Sequence, residues 1–396
     1  MRKRIGFLAA LLMLAVCSPR APLRDAADLD KVLRTAVEQK RVPGVVAMVA
    51  TADGAAYEGA IGLNTDTIFA IASMTKPITS AAVMQLVEAG KVRLEEPVAT
   101  YLPELGKVQV LEGSTLRSSK SAVTVRQLLT HTSGFGYEFM NAVLHDYVAQ
   151  GKAPSMESGG DGFLQSPLLF DPGTRWEYGI NTDWLGRLVE RVTGQSLEAY
   201  FRLRIFEPLG MRDSYFNVPV DKQPRLAALF RRTEDGSLAQ EKSQPLEPVE
   251  FFSGGGGLYS TAADYLKFEQ AILAGGQLGS QRILKSETVA EMGHNQIGIL
   301  MLRPFSSVMP EVLRDGYSLP GGLDKFGLGF GLNSRPLNNG RGANTMSWAG
   351  INNTFFWIDR EKKVCAVLMS QMLPFGDAGP AKLGEDFDSA VYAWLK

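Results

Sequence analysis

Ile71-Ala72-Ser73-Met74-Thr75-Lys76-Pro77 sets a hydroxyl and an amine three residues apart at a helix start, and the rest of the chain is read outward from it. Downstream, Ile78, Ala82, Leu86 and Ala89 form one helical stripe over residues 74–89, and Gly90 ends it with a residue suited to a left-handed cap. Pro77 falls in the first turn, where a missing N–H costs little. Positions i and i+3 share a helix face, so Lys76 lies beside Ser73. A serine hydroxyl needs a base within hydrogen-bond reach to act as a nucleophile, and an amine kept uncharged by burial supplies one without histidine. The same place suits a capping serine, whose oxygen accepts from free N–H groups of the first turn. A Ser-x-x-Lys spacing arises about once by chance in a chain this long, so at this point cap and nucleophile both stand.

On either side of this stretch the text differs. Residues 27–39 carry Leu29, Val32, Leu33 and Val37 at helical spacing, and residues 44–51 and 55–61 read as two strands joined by Ala52-Asp53-Gly54. A second hairpin stands near the C-terminus, with strands at 354–359 and 364–370 about the charged turn Arg360-Glu361-Lys362-Lys363, followed by a helix over 382–396. No comparable strand pair is visible between them. The expected architecture is α+β: one antiparallel sheet built from both chain ends (24–111 and 251–396) and flanked by helices, with a mainly helical subdomain (112–250) inserted and the active site between the two. Within the insert, helices are expected at 125–129, 182–192 and 197–205.

Composition narrows the function. With 41 basic against 42 acidic residues and a net charge of −1, the chain carries no electrostatic footprint for nucleic acid or an anionic membrane. Arg2-Lys3-Arg4 followed by the apolar run 5–16 reads as a Sec-type secretion signal over residues 1–17, too short to span a bilayer, so a periplasmic or secreted location is expected. Leu14-Ala15-Val16-Cys17 is similar to a lipoprotein box, so simple cleavage near Cys17 and a lipid anchor on Cys17 are both open. With Cys17 removed or acylated, Cys365 is the remaining thiol, and its apolar surroundings mark it as a small core residue. His131, His145 and His294 do not stand at metal-ligand spacing, so neither metal nor cofactor is expected; His131, at a helix end, is read as a structural hydrogen-bonding residue. No Gly-x-Ser-x-Gly occurs, which removes the α/β-hydrolase elbow. The run Ser253-Gly254-Gly255-Gly256-Gly257 lacks the lysine of a phosphate loop, and Thr261 with Asp264 forms a capping pair behind it, so it is read as a tight structural turn.

Several spaced stretches agree at once with a known family. These are Ser73-Met74-Thr75-Lys76; Leu128 through Gly134; Pro172-Gly173-Thr174-Arg175-Trp176-Glu177-Tyr178; Pro208-Leu209-Gly210-Met211; Gly255 through Ala263; Phe326-Gly327-Leu328-Gly329; and Trp348-Ala349-Gly350. In this order the chain resembles the serine β-lactamase and D,D-peptidase superfamily, most closely its family VIII carboxylesterases. The resemblance implies that Ser73 is the acylated nucleophile, that Lys76 helps deprotonate it, and that Tyr178 shuttles the proton to the leaving group and later activates water. It implies an oxyanion hole from the backbone N–H groups of Ser73 and Ile351, and substrate contacts from Trp348, Ala349 and Gly350.

Two departures bear on the substrate. The family's Tyr-x-Asn reads Tyr178-Gly179-Ile180, with Asn181 one place late, while the literal match Tyr215-Phe216-Asn217 falls in what reads as a surface turn and is a decoy. The Lys-Thr-Gly of β-lactamases is replaced by Trp348-Ala349-Gly350, and an indole offers no cation to a substrate carboxylate. Arg341 is near enough in sequence to supply a substitute charge. The resemblance therefore implies a carboxylesterase acting on short-to-medium neutral esters as small-molecule partners. A β-lactamase or peptidase-type amide hydrolase, a related acyltransferase, and a non-turning-over penicillin-recognising or cell-wall-binding protein are the alternatives.

Overall fold

The computed structural model describes residues 26–52, 54–242 and 246–396. The run read from sequence as a secretion signal, with Cys17, and Asp53 of the first hairpin turn lie outside the described residues. In chain order the elements that position the site are α1 (Ala27–Glu38), β1 (Val45–Thr51), β2 (Gly54–Ile61), α2 (Thr75–Glu88), α3 (Val125–Leu129), α4 (Asn181–Thr193) and α5 (Ala262–Leu273). They are followed by β3 (Lys325–Phe326), β4 (Gly331–Leu332), β5 (Met346–Gly350), β6 (Thr354–Asp359), β7 (Val364–Met369) and α6 (Ala378–Trp394).

One seven-stranded antiparallel sheet runs β3-β4-β5-β6-β7-β1-β2. The two hairpins expected from sequence meet at its centre, where Val46 pairs with Met369 and Thr51 with Val364. Strands β6 and β7 are buried along their whole length because helices cover both faces. The pleat sorts neighbouring aromatics between those faces: the Phe356 ring packs 5.2 Å from Tyr265 of α5, and Trp357 lies 5.9 Å from Phe387 of α6. The strands β3, at the sheet edge, and β4 beside it are two residues each and carry no periodic signal, which is why sequence patterning passed over them. Helix α6 begins four residues before its expected start because the Asp377 side chain caps it, accepting from Gly379 N–H.

The stretch 112–250 sets its helices between irregular segments, with α3 opened by a Thr124–Gln127 capping box and α4 ended by Gly194 in the left-handed region. It also contains strand pairs that the sequence reading lacked. One hairpin, 109–112 with 115–118, spans the expected 111/112 boundary and is tied to the insert through Leu111 N–H on Leu168 O at 2.7 Å. Another strand, Phe230–Arg232, pairs in parallel with Met372–Leu373, so this part of the insert returns to the C-terminal half. Helix α2 is buried from Thr75 through Leu86 on all sides, and it carries the serine turn at its N-terminal end.

Candidate active site

Ser73 lies in a 3-10 turn, Ala72–Met74, immediately before α2. The helix N-cap is Met74, and no side-chain cap is made there, so Ser73 does not serve as a capping serine. Ala72 holds φ at +44°, a conformation that costs an L-residue about 1–2 kcal/mol. The turn is held by its surroundings: Ile71 N–H donates to Leu258 O at 3.0 Å, Tyr265 OH to Met74 O at 2.9 Å, and Leu258 N–H to Thr75 Oγ1 at 3.1 Å.

Lys76 is buried one helical turn on, with its Nζ 3.2 Å from Ser73 Oγ, 2.9 Å from Tyr137 OH and 2.6 Å from Gly255 O. As an ammonium it donates to all three; as an amine it keeps a lone pair for the Ser73 proton. The amine also sits over two aromatic faces, 4.7 Å from the Tyr178 ring centre and 5.3 Å from that of Tyr137. The Tyr178 hydroxyl accepts from Trp348 Nε1–H at 3.2 Å. The phenol that Lys76 hydrogen-bonds is thus that of Tyr137, which the sequence reading did not single out. Burial, reinforced by Tyr178 and Asp183, pushes the Tyr137 phenol well above its usual range and keeps it protonated.

The end of β5 is locked against the serine turn. A Cβ on Gly350 would come within 2.3 Å of Ile71 O, so only glycine lets the strand approach this closely. Asn352 Nδ2–H adds a hydrogen bond to Ala70 O at 3.0 Å. Ser73 and Ile351 consequently line one cavity of about 300 Å³, together with Trp348 and Ala349. Gly350 does not line it; its contribution is the close approach rather than a substrate contact. The remaining walls are largely apolar, with Phe305, Phe375 and Leu319 prominent.

Other sequence expectations resolve as follows. Arg341 pairs with Asp388 at 2.9 Å, packs on Trp357 and does not line the cavity, so it offers no substitute charge there. Asn181 is buried beside the cavity wall, donating to His131 Nδ1 at 2.9 Å and accepting from Ser133 Oγ, so it does not replace the family's substrate-facing asparagine. His131 has the structural hydrogen bond expected of it, and burial first, then the Lys76 charge, holds its imidazole well below the usual range. Tyr215 is absent from the cavity wall, as a decoy should be, but it is buried and paired with Tyr259 rather than set in a surface turn. Cys365 is fully buried in β7. Thr261 caps α5 as expected, accepting from Asp264 N–H. The glycine run before it is more than a turn, since Gly255, Gly256 and Gly257 line the cavity and Gly255 O receives Lys76. Asp183, also missed in the sequence, reaches the same wall from α4.

A family model described as Beta-lactamase matches residues 29–388. The chain is 30% identical to ML-236A carboxylate methylbutanoyltransferase mlcH of Penicillium citrinum, over 93% of this chain and 94% of the relative. It is likewise 30% identical to the lovastatin esterase of Penicillium rubens, over 92% of this chain and 98% of the relative. Among solved structures, unliganded simvastatin synthase (LovD) from Aspergillus terreus superposes with a TM-score of 0.81 at 30% identity, covering 93% of this chain and 98% of that one.

Proposed function

The chain belongs to the Beta-lactamase family, and from that premise we propose that it is a serine carboxylesterase that handles short-to-medium neutral esters through an acyl-enzyme on Ser73. In this reading Ser73 Oγ attacks the ester carbonyl while its proton passes to the Lys76 amine, 3.2 Å away. The oxyanion is held between the Ser73 and Ile351 N–H groups. The leaving alkoxide takes a proton from the Tyr178 hydroxyl, the proton that Lys76 received is passed back through the phenols around it, of which Tyr137 is the one it hydrogen-bonds, and the alcohol departs. Water then attacks the acyl carbon, gives its proton back through the same groups, and releases the acid and free Ser73.

The observation that carries the ester reading is the cavity wall itself. Trp348 stands where β-lactamases offer lysine, its N–H is engaged by Tyr178, and no lysine or arginine lines the cavity among the described residues. A largely apolar, aromatic wall without a cation favours a neutral acyl group over a carboxylate-bearing β-lactam or peptide. A second reading, transfer of the acyl group to an alcohol in place of water, is supported by the methylbutanoyltransferases among the relatives, which stand beside an esterase of equal identity.

The test is a panel of p-nitrophenyl acetate, butyrate and octanoate against nitrocefin, with wild type and Ser73→Ala, each with and without an added primary alcohol. Ester turnover far above nitrocefin turnover, abolished in S73A, is the expected result. A new ester formed from the alcohol moves the assignment to acyl transfer. Full ester turnover by S73A removes Ser73 as the nucleophile, and a persistent Ser73 adduct by mass spectrometry replaces an enzyme with a binder.

A further inference from the structure

The glycine run and Asp183 share one arrangement that the catalytic steps above leave unused. Asp183 lies in the first turn of α4, five residues after Tyr178, and is 1% exposed. Its Oδ1 accepts from Ser253 Oγ at 2.5 Å and from Gly255 N–H at 3.0 Å. The carbonyl of that same Gly255 is the group that receives Lys76 Nζ at 2.6 Å. One residue's backbone is therefore gripped from two sides, by the carboxyl and by the amine.

The fit is tight. A Cβ on Gly255 would fall 2.2 Å from Asp183 Oδ2, and one on Gly254 would fall 2.7 Å from Thr182 O, so glycine at both places lets the run lie flat on α4. Thr79 Oγ1, one turn beyond Lys76, donates to Gly254 O at 2.7 Å and pins the other side of the run to α2. Asp183 Oδ2 has no hydrogen-bond partner in this buried position. An unpaired buried carboxylate oxygen is expensive unless a nearby positive charge compensates it. Around Lys76 stand the Ser73 hydroxyl, the Tyr137 and Tyr178 phenols, the His131 imidazole, which burial keeps neutral, and the Asp183 carboxyl. Burial lifts the Asp183 carboxyl above its ordinary range, and the charge of Lys76 pulls it back down.

We propose that Asp183 is a positioning residue for the Ser73 reaction: through Ser253 and Gly255 it aims Lys76 at Ser73, and it supplies the negative charge against which Lys76 takes up and gives back the proton. The proposal rests on the reading of Ser73 and Lys76 as the reacting pair.

The experiment is the pH profile of kcat/KM on p-nitrophenyl butyrate for wild type, Asp183→Asn, Ser253→Ala and S73A, with Tm measured alongside. Asparagine keeps an accepting Oδ1 but no charge, so it preserves the hydrogen bonds from Ser253 and Gly255 and removes the negative charge. The acidic limb of D183N is expected to move down by about one pH unit, the scale on which a neighbouring opposite charge acts. S253A keeps the charge and loses one hydrogen bond; it is expected to lower kcat several-fold with KM nearly unchanged and the limb in place. A folded D183N with the wild-type limb overturns the electrostatic half, and S253A at wild-type kcat overturns the clamp, whether or not D183N folds. S73A separates the levels: if it keeps full activity the Ser73 reading falls, whereas an inactive S73A with unaltered D183N and S253A profiles defeats only the role of Asp183.

Discussion

Replacing Gly350 with alanine tests whether the end of β5 supplies half of the oxyanion hole. The added Cβ would stand 2.3 Å from Ile71 O and 2.4 Å from Thr354 Oγ1, where real Cβ contacts essentially never fall below 3.0 Å. The strand end and the serine turn must therefore separate by roughly 0.7 Å, since a packed interior has no slack to absorb the overlap. A hydrogen bond of about 2.9 Å from Ile351 N–H to the oxyanion would stretch to about 3.6 Å, which is no longer a hydrogen bond. Loss of one such donor costs about 100-fold to 1,000-fold in kcat. The interaction exists only once charge has developed on the oxygen, so KM should change little. The assay is steady-state hydrolysis of p-nitrophenyl butyrate, with thermal unfolding recorded to establish that the variant is folded; overpacking of this kind destabilises by about 1–3 kcal/mol. A folded Gly350→Ala with kcat within a few-fold of wild type would falsify the assignment of Ile351 N–H as an oxyanion donor.

Two further expectations concern the wall and the buried imidazole. Trp348→Lys removes the indole N–H that Tyr178 accepts and places a charge in an apolar wall, so activity on butyrate and octanoate esters should fall about 10-fold or more while nitrocefin turnover does not fall with it; unchanged ester activity removes Trp348 from the acyl pocket. His131 is held neutral by burial, whereas the unfolded chain takes up a proton near pH 6.5. Protons thus favour the unfolded state as pH drops below about 6.5, and the stabilisation from a neutral His131 is fully present above that pH and lost beneath it. The Tm advantage of wild type over His131→Asn should accordingly shrink between pH 7.5 and 5, and a constant difference would show that His131 is not the group responsible.

The parts of this molecule that could be read from sequence are those whose signal is local and periodic. Both hairpins of the central sheet fall within about one residue of their expected ends, because alternating or wholly apolar runs bounded by charged turns leave few alternatives. Ser73 and Lys76 were legible for a similar reason, since a three-residue helical spacing converts directly into side-chain proximity. Tyr137 was not, because it sits in irregular chain after α3 and meets Lys76 only through tertiary packing. Asp183 was hidden in plain helical text, and the glycine run was correctly read as a tight turn while its cause, the carboxyl lying across Gly255, was out of view. Sequence proximity misled in the case of Arg341: it comes shortly before β5, but the fold turns its guanidinium onto Asp388 and Trp357.

The pairing of β1 with β7 has a consequence for biosynthesis. During translation the serine turn and α2 emerge well before Ile351 and the strand β7 that flanks β1. Until they arrive, Leu258 and Tyr265 alone brace the turn, and on the proposed mechanism Ser73 lacks the second donor that would hold an oxyanion. On the proposed mechanism the growing chain therefore carries an inert serine until β5 docks against the serine turn and β7 closes on β1.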